Sequence, residues 1–160
     1  MSSTAYRDGL LRRLQDPEFL VEYYVAAAQS NDETVLLMAV RDILETGMYQ
    51  PVQLMKLRAC SDAVAPAGNP DDYLLGEANV GSLPVAYRLT GILTASPALG
   101  ACVRILRWSR NGVVIPGVFT STEVTQIGSG EFQTANSVYR LTFAIRGEKS
   151  FGDPESWRFE

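Results

Sequence analysis

A tight-turn motif in the second half of the chain constrains the fold more than any other feature of the sequence. Asn111 and Gly112 stand between residues 102–110 and residues 113–120, and both of these runs are rich in β-branched and aromatic residues. The Asn-Gly pair predicts a two-residue β-hairpin turn, because both residues adopt positive φ at low energetic cost. The pairs across this hairpin are then Arg110 with Val113, Ser109 with Val114, and Trp108 with Ile115.

The region around this hairpin, residues 83–146, has the pattern of a small antiparallel β domain. Apolar residues alternate with polar ones in several short runs, and turns rich in glycine separate these runs. Pro116 and Gly117 interrupt one of them, which is typical of a β-bulge or a bend. About five or six strands of this kind, joined by short turns, predict an antiparallel sandwich or a small closed barrel.

The N-terminal region has helical patterns instead. Asp16, Pro17 and Glu18 are typical of a helix start, because they supply an N-cap, a first-turn proline and an acidic residue near the positive helix end. Apolar residues recur at helical spacing on both sides of this point, and Gly47 ends the third such stretch. We therefore expect three short helices in a bundle.

The two regions differ in charge and are separated by a stretch of different composition. The net charge is −4 over residues 1–47 and +4 over residues 83–146, so an acidic helical half and a basic β half can pair within the molecule. Between them, Ala, Pro, Gly, Asn and Asp dominate, which is typical of a linker. The predicted class is α+β, a short N-terminal helical bundle followed by a small antiparallel β-barrel or sandwich. The predicted units are a helical domain (1–60), a linker (61–82), a β domain (83–146) and a C-terminal tail (147–160).

Several of the helical residues carry a resemblance to a known family. They are Tyr6-Arg7-Asp8, Leu14, Asp16-Pro17-Glu18, Glu22-Tyr23 and residues 36–43. This quarter of the chain resembles the opening of addiction-module antidote proteins, the antitoxins of toxin–antitoxin pairs. In that family the segment leads into a DNA-binding helix-turn-helix, but residues 49–52 do not continue that pattern here. The resemblance therefore implies the helical platform without the DNA-reading helix.

A second resemblance concerns the β region. Residues 110–113, 117–121, Val124 and 136–140 resemble a small β domain of uncharacterised bacterial proteins. This resemblance implies a domain unit and supplies no activity.

The composition removes most catalytic chemistry. The chain has no histidine, so the usual general base and the usual metal ligand are missing. Cys60 and Cys102 are too few for a disulfide framework, and neither has a histidine to activate it as a nucleophile. Asp71 and Asp72 are adjacent in a predicted loop, where nothing holds both on one reacting centre. We expect no enzymatic activity, no cofactor and no metal.

These exclusions favour a non-enzymatic protein-binding adaptor or inhibitor with an antitoxin-like helical platform. Leu37 and Met38 lie outside the apolar stripe of the third helix, and two aromatic residues stand close to the C-terminus. Toxin neutralisation, a phage-style inhibitor, a subunit of a larger complex and a homo-oligomer all stay open. The candidate partner-binding residues are Tyr24, Leu37, Met38, Arg41, Trp157 and Phe159.

The alternative is a nucleic-acid-binding module. Twelve of the fourteen basic residues are arginines, and arginine beside a flat aromatic side chain suits phosphate pairing and base stacking. We expect no membrane partner and a cytoplasmic location, because the chain lacks a long apolar run and a secretory signal pattern. The candidate nucleic-acid-binding residues are Arg88, Arg104, Arg107, Trp108, Arg110 and Arg140.

Overall fold

Three helices precede a closed, six-stranded antiparallel β-barrel in a computed structural model of the chain, which describes residues 3–59, 87–135, 137–145 and 154–159. This confirms the α+β class and selects a barrel over a sandwich. The predicted linker, residues 61–82, lies outside the described residues. The elements are α1 (Ser3–Arg13), α2 (Pro17–Gln29), α3 (Glu33–Glu45), β1 (Gln50–Ala59), β2 (Arg88–Leu93), β3 (Cys102–Arg110), β4 (Val113–Gly128), β5 (Glu131–Thr134), β6 (Ser137–Phe143) and a 3-10 turn (Pro154–Ser156).

Both α2 and α3 begin with an aspartate cap. The Asp16 carboxylate accepts a hydrogen bond from the backbone N–H of Glu18 at 3.0 Å, and Pro17 occupies the first turn. The Asp32 carboxylate accepts from the backbone N–H of Thr34 at 2.9 Å in the same way. These bonds satisfy N–H groups that have no partner within the helix, and the predicted helix start at Asp16 is confirmed.

The strand β1 corrects the predicted extent of the helical region. Residues 50–59 fall within the range 1–60, yet they form a barrel strand that pairs with β2 on one side and β6 on the other. Val52 and Leu54 point into the barrel at the two-residue period of a strand. Pairing with two strands that are distant in sequence determines the conformation of these residues.

The hairpin between β3 and β4 confirms the Asn-Gly turn. The φ angle is 51° at Asn111 and 84° at Gly112, as a two-residue turn of this kind requires. The predicted pairs Arg110 with Val113 and Ser109 with Val114 are present. The predicted pair Trp108 with Ile115 is wrong, because the register shifts between Arg107 and Ser109, and Arg107 pairs with Gly117 instead.

Among the described residues, buried apolar side chains form two clusters. One fills the barrel, with Val103 and Ile105 of β3 among its members. The other lies between the helices and the outer side of the barrel, where Leu106 and Trp108 of the same strand meet α2 and α3. Because alternate residues of a strand point to opposite sides, one strand serves both clusters. The barrel residues under the helices are Ile92, Leu106, Trp108 and Val118.

None of the described helices reaches the length that a membrane crossing needs. The longest have 13 residues, whereas a helix requires about 20 apolar residues to cross a bilayer.

Candidate functional site

The side of α3 that faces away from the core carries exposed apolar side chains. Leu36 and Val40 are buried against the other helices and the barrel. Val35 and Met38, one turn apart, have 39% and 57% of their surface exposed. Arg41 follows one turn later and is also exposed. We call Val35, Met38 and Arg41 the α3 outer surface.

A polar network fixes α3 to the other two helices. The Arg7 guanidinium of α1 lies 3.0 Å from the Asp42 carboxylate and also pairs with Glu45. The Tyr23 hydroxyl of α2 donates to the other Asp42 oxygen at 2.8 Å. Burial and this hydrogen bond raise the pKa of Tyr23, and the hydrogen bond with Glu45 raises the pKa of Arg7. The network holds the backbone that presents the α3 outer surface.

Tyr24, a predicted partner-binding residue, lies instead in the core between α2 and the barrel. It is fully buried, and its hydroxyl donates to the backbone carbonyl of Arg107. Burial raises the pKa of this hydroxyl. Gly117, the residue paired with Arg107, contributes a backbone hydrogen bond to the same group. A partner cannot reach this side chain in the folded chain, which corrects the interpretation of Tyr24 as a contact residue.

The C-terminal aromatic residues also pack on this chain. Trp157 is buried in the cluster between helices and barrel, and Phe159 and Leu37 pack against that cluster half-buried. Between the two aromatics, the backbone carbonyl of Arg158 accepts a hydrogen bond from the N–H of Ile145 at 2.8 Å. Trp157 is therefore part of the core rather than a contact for a partner. Of the six predicted partner-binding residues, Met38 and Arg41 are exposed.

A cleft lies between the turn that joins α2 to α3 and the first residues of β4. Its volume is about 320 Å³. Val114 of its wall is half exposed, and the rim carries the side chains of Asn31, Asp32 and Glu33. The cleft adjoins α3 at Leu36, one residue from Val35. The apolar part of the wall consists of Ala27, Ala28, Leu36, Val114 and Pro116.

Two of the predicted nucleic-acid-binding residues are buried. Trp108 packs under the helices, where no base can stack on it. Arg107 is fully buried, and its Nε donates to the backbone carbonyl of Ile115 at 2.8 Å. This carbonyl belongs to the irregular part of β4 next to Pro116, so the guanidinium satisfies a backbone acceptor at the bulge. Both residues were predicted as surface contacts, and the structure shows both as buried side chains of the fold.

The other four arginines lie at different places on the barrel. Arg88 and Arg140 are exposed, and both pair with Met55, one from each neighbouring strand. With strands about 4.8 Å apart, the two arginine Cα atoms are about 10 Å apart. Arg104 is exposed on the β3–β4 pair, opposite Thr120. Arg110 is half-buried beside the hairpin turn. The structure brings Arg88 and Arg140 together and separates Arg104 from them.

Within the described ranges, no three of the residue types His, Cys, Asp and Glu come close enough together to hold a metal ion. Cys102 is an exposed free thiol at the start of β3, opposite Glu123. The exposed features that the described residues form are the α3 outer surface, the cleft and the neighbouring residues Arg88 and Arg140.

The sequence contained a signal for the burial of Arg107. Residues 103, 105 and 107 alternate along β3, and the first two are apolar, so Arg107 shares their side of the strand. The two residues paired with Arg107, Gly91 and Gly117, have no side chains, which leaves room for a long one. No comparable signal reveals the cleft, because residues from α2, α3 and β4 form it jointly.

The chain matches no family model, no curated protein and no solved structure.

Proposed function

We propose that this chain is a non-enzymatic adaptor or inhibitor that binds a protein partner through the α3 outer surface. The observation that carries the proposal is the exposure of Met38, more than half of whose surface faces solvent on a helix whose opposite side is buried. In this proposal the three helices act as a short bundle, with one side on the barrel and the other available to the partner.

The surroundings of Met38 support a binding role. Single exposed apolar residues are common, but a second exposed apolar residue, Val35, lies one turn away on the same side of the helix. Exposed methionine suits protein contacts because its side chain is flexible and polarizable. Arg41 adds a group that protein interfaces favour.

Rigidity of the helix adds to the argument. The ion pairs of Arg7 with Asp42 and Glu45, and the hydrogen bond from Tyr23, tie α3 to α1 and α2. A surface that is already ordered loses less conformational entropy on binding, so more of the contact energy contributes to affinity. Burial of the part of Met38 that is exposed in the free chain, 57% of its surface, contributes about 0.9–1.7 kcal/mol, which corresponds to roughly fourfold to 18-fold in affinity.

The protein-binding role also rests on the chemistry of the chain. Without histidine, the exposed residues near Met38 offer apolar contact and charge pairing rather than proton transfer. The antitoxin-like resemblance of the helices points in the same direction and stays a prediction.

The experiment compares Met38→Asp with Met48→Asp. Met48 has nearly the same exposure, 56% against 57%, but it follows α3 and is not part of the outer surface. Each tagged variant and the wild-type chain serve as bait in a lysate of the source organism, with quantitative mass spectrometry of the retained proteins. We expect a protein that the wild-type chain and Met48→Asp retain and that Met38→Asp loses at least tenfold. Equal retention by both variants, or recovery of nucleic acid alone, would contradict the proposal.

A further inference from the structure

The barrel carries a further exposed surface, which is formed by residues of β1, β2 and β6. Met55 of β1 pairs with Arg88 of β2 and with Arg140 of β6, so the three residues lie side by side on adjacent strands. The Arg88 guanidinium lies against the Met55 sulfur at 3.9 Å. Arg58, three residues further along β1, is also exposed. We call Arg58, Arg88 and Arg140 the arginine row.

The described part of the chain forms no ion pair with the arginine row, although the carboxylate residue Glu131 lies on the neighbouring strand across from Arg140. None of the three guanidinium groups forms an ion pair with a described carboxylate, including the helical ones. The charge distribution along the chain allows Arg88 or Arg140 to pair directly with the acidic helices. Such pairing is absent among the described residues. Three solvated arginines on neighbouring strands attract an anion more strongly than isolated ones do.

A groove of about 240 Å³ adjoins the arginine row at Arg58. Ile127, which is 49% exposed, and the largely buried Val138 line it and give the groove an apolar part. The amide side chains of Gln126 and Gln133 and the carboxylate of Glu131 line it as well. Glu131 is also the β5 residue paired with Arg140, so the groove and the row are continuous.

We propose that the arginine row and this groove bind single-stranded nucleic acid. Arginine pairs with phosphate through two parallel N–H groups, and the row supplies three such contacts. The groove supplies the groups that recognise base edges, because glutamine amides donate and accept and a carboxylate accepts from an amino group. An acidic peptide would use the arginines but would gain nothing from Glu131.

The groove also determines which form of nucleic acid fits. A base enters a concave site only if it leaves the stack, and bases of a single strand do so at low cost. A duplex keeps its bases paired and would meet the row through phosphates alone. The proposed surface is separate from the α3 outer surface, so either proposal stands or fails without the other.

The probe is a fluorescein-labelled RNA of mixed sequence and about ten nucleotides, within the site sizes known for such surfaces. Fluorescence anisotropy measures its affinity for the full chain at several salt concentrations. Three phosphate contacts predict a slope of log K against log salt of about −2, since each contact to a single strand contributes about −0.7. Arg140→Gln and Arg88→Gln should each weaken binding several-fold and reduce the steepness of the slope by about 0.7.

The matched control is Arg12→Gln, which removes one exposed arginine from α1 and changes the net charge equally. It should bind as the wild-type chain does. Arg140→Lys keeps the charge and should retain the slope while losing the paired geometry. Melting temperatures of all variants verify that the barrel is folded.

Several outcomes would overturn the proposal. They are the absence of salt-sensitive binding by the folded wild-type chain, equal weakening by Arg12→Gln, and a duplex of the same length bound as tightly as the single strand. Displacement of the RNA by an equal charge of polyglutamate would assign the row to an acidic protein instead.

Discussion

Replacement of Tyr24 by phenylalanine should destabilise the chain although it removes a single oxygen atom. The Tyr24 hydroxyl is buried, and its hydrogen bond to the Arg107 carbonyl joins α2 to β3. Without the hydroxyl, that carbonyl loses this bond in a place where water does not replace it. Loss of one partner of a buried hydrogen bond costs about 1–3 kcal/mol. In a chain of this size, this lowers the melting temperature by about 2–12 °C.

The assay is urea unfolding followed by circular dichroism, together with a thermal scan. The control is Tyr6→Phe, which removes the same atom from a side chain that is 70% exposed and should leave stability unchanged. Equal stability of Tyr24→Phe and the wild-type chain would refute the reasoning, because the buried hydroxyl would then contribute nothing. Equal destabilisation by Tyr6→Phe would refute it as well.

The remaining predictions concern alkaline pH and two glycines. Burial raises the pKa of Tyr23, Tyr24 and Tyr49, so the native state keeps protons that the unfolded chain releases above about pH 10. The contribution of these tyrosines to the free energy of unfolding should therefore be complete below that pH and fall above it. The fall should be less steep in Tyr24→Phe than in the wild-type chain, and an equal fall in both chains would contradict this. Gly91→Ala should cost about 1–3 kcal/mol in urea unfolding, because its Cβ would meet the Leu106 carbonyl oxygen and come within 2.8 Å of Ile105 Cγ2. The control Gly9→Ala, with nothing within 4 Å, should not destabilise, and similar stabilities for the two would contradict the packing argument. Gly112→Val should cost at least about 1 kcal/mol, since its φ of 84° is strained for a β-branched residue, and an unchanged urea midpoint would argue against that strain.

Features that depend on neighbouring residues were predictable from the sequence. The Asn-Gly turn and the aspartate cap of α2 follow from backbone preferences and hydrogen bonds within a few residues. The alternation in the second half of the chain predicted an antiparallel sheet, although it did not distinguish a barrel from a sandwich. That choice depends on β1, which comes before the predicted linker and pairs with β2 and β6.

Features that depend on distant residues were not predictable from local patterns. The register shift in the hairpin lies where Tyr24 of α2 bonds to the Arg107 carbonyl and where Arg107 Nε bonds to Ile115. Trp157 belongs to the core because the C-terminal residues return to Ile145. The exposure of Met38 agrees with its place outside the apolar stripe, which is why it could be selected from the sequence.

Photo-crosslinking from position 38 tests the protein-binding role most directly. The photoreactive residue p-benzoylphenylalanine replaces Met38 in one chain and Met48 in another, and each chain is irradiated in cells of the source organism. These two sites have nearly equal exposure, so simple accessibility predicts equal products. We predict a covalent adduct with a distinct protein from position 38 and none from position 48. Equal products from both positions, or none from position 38, would contradict the role of the α3 outer surface.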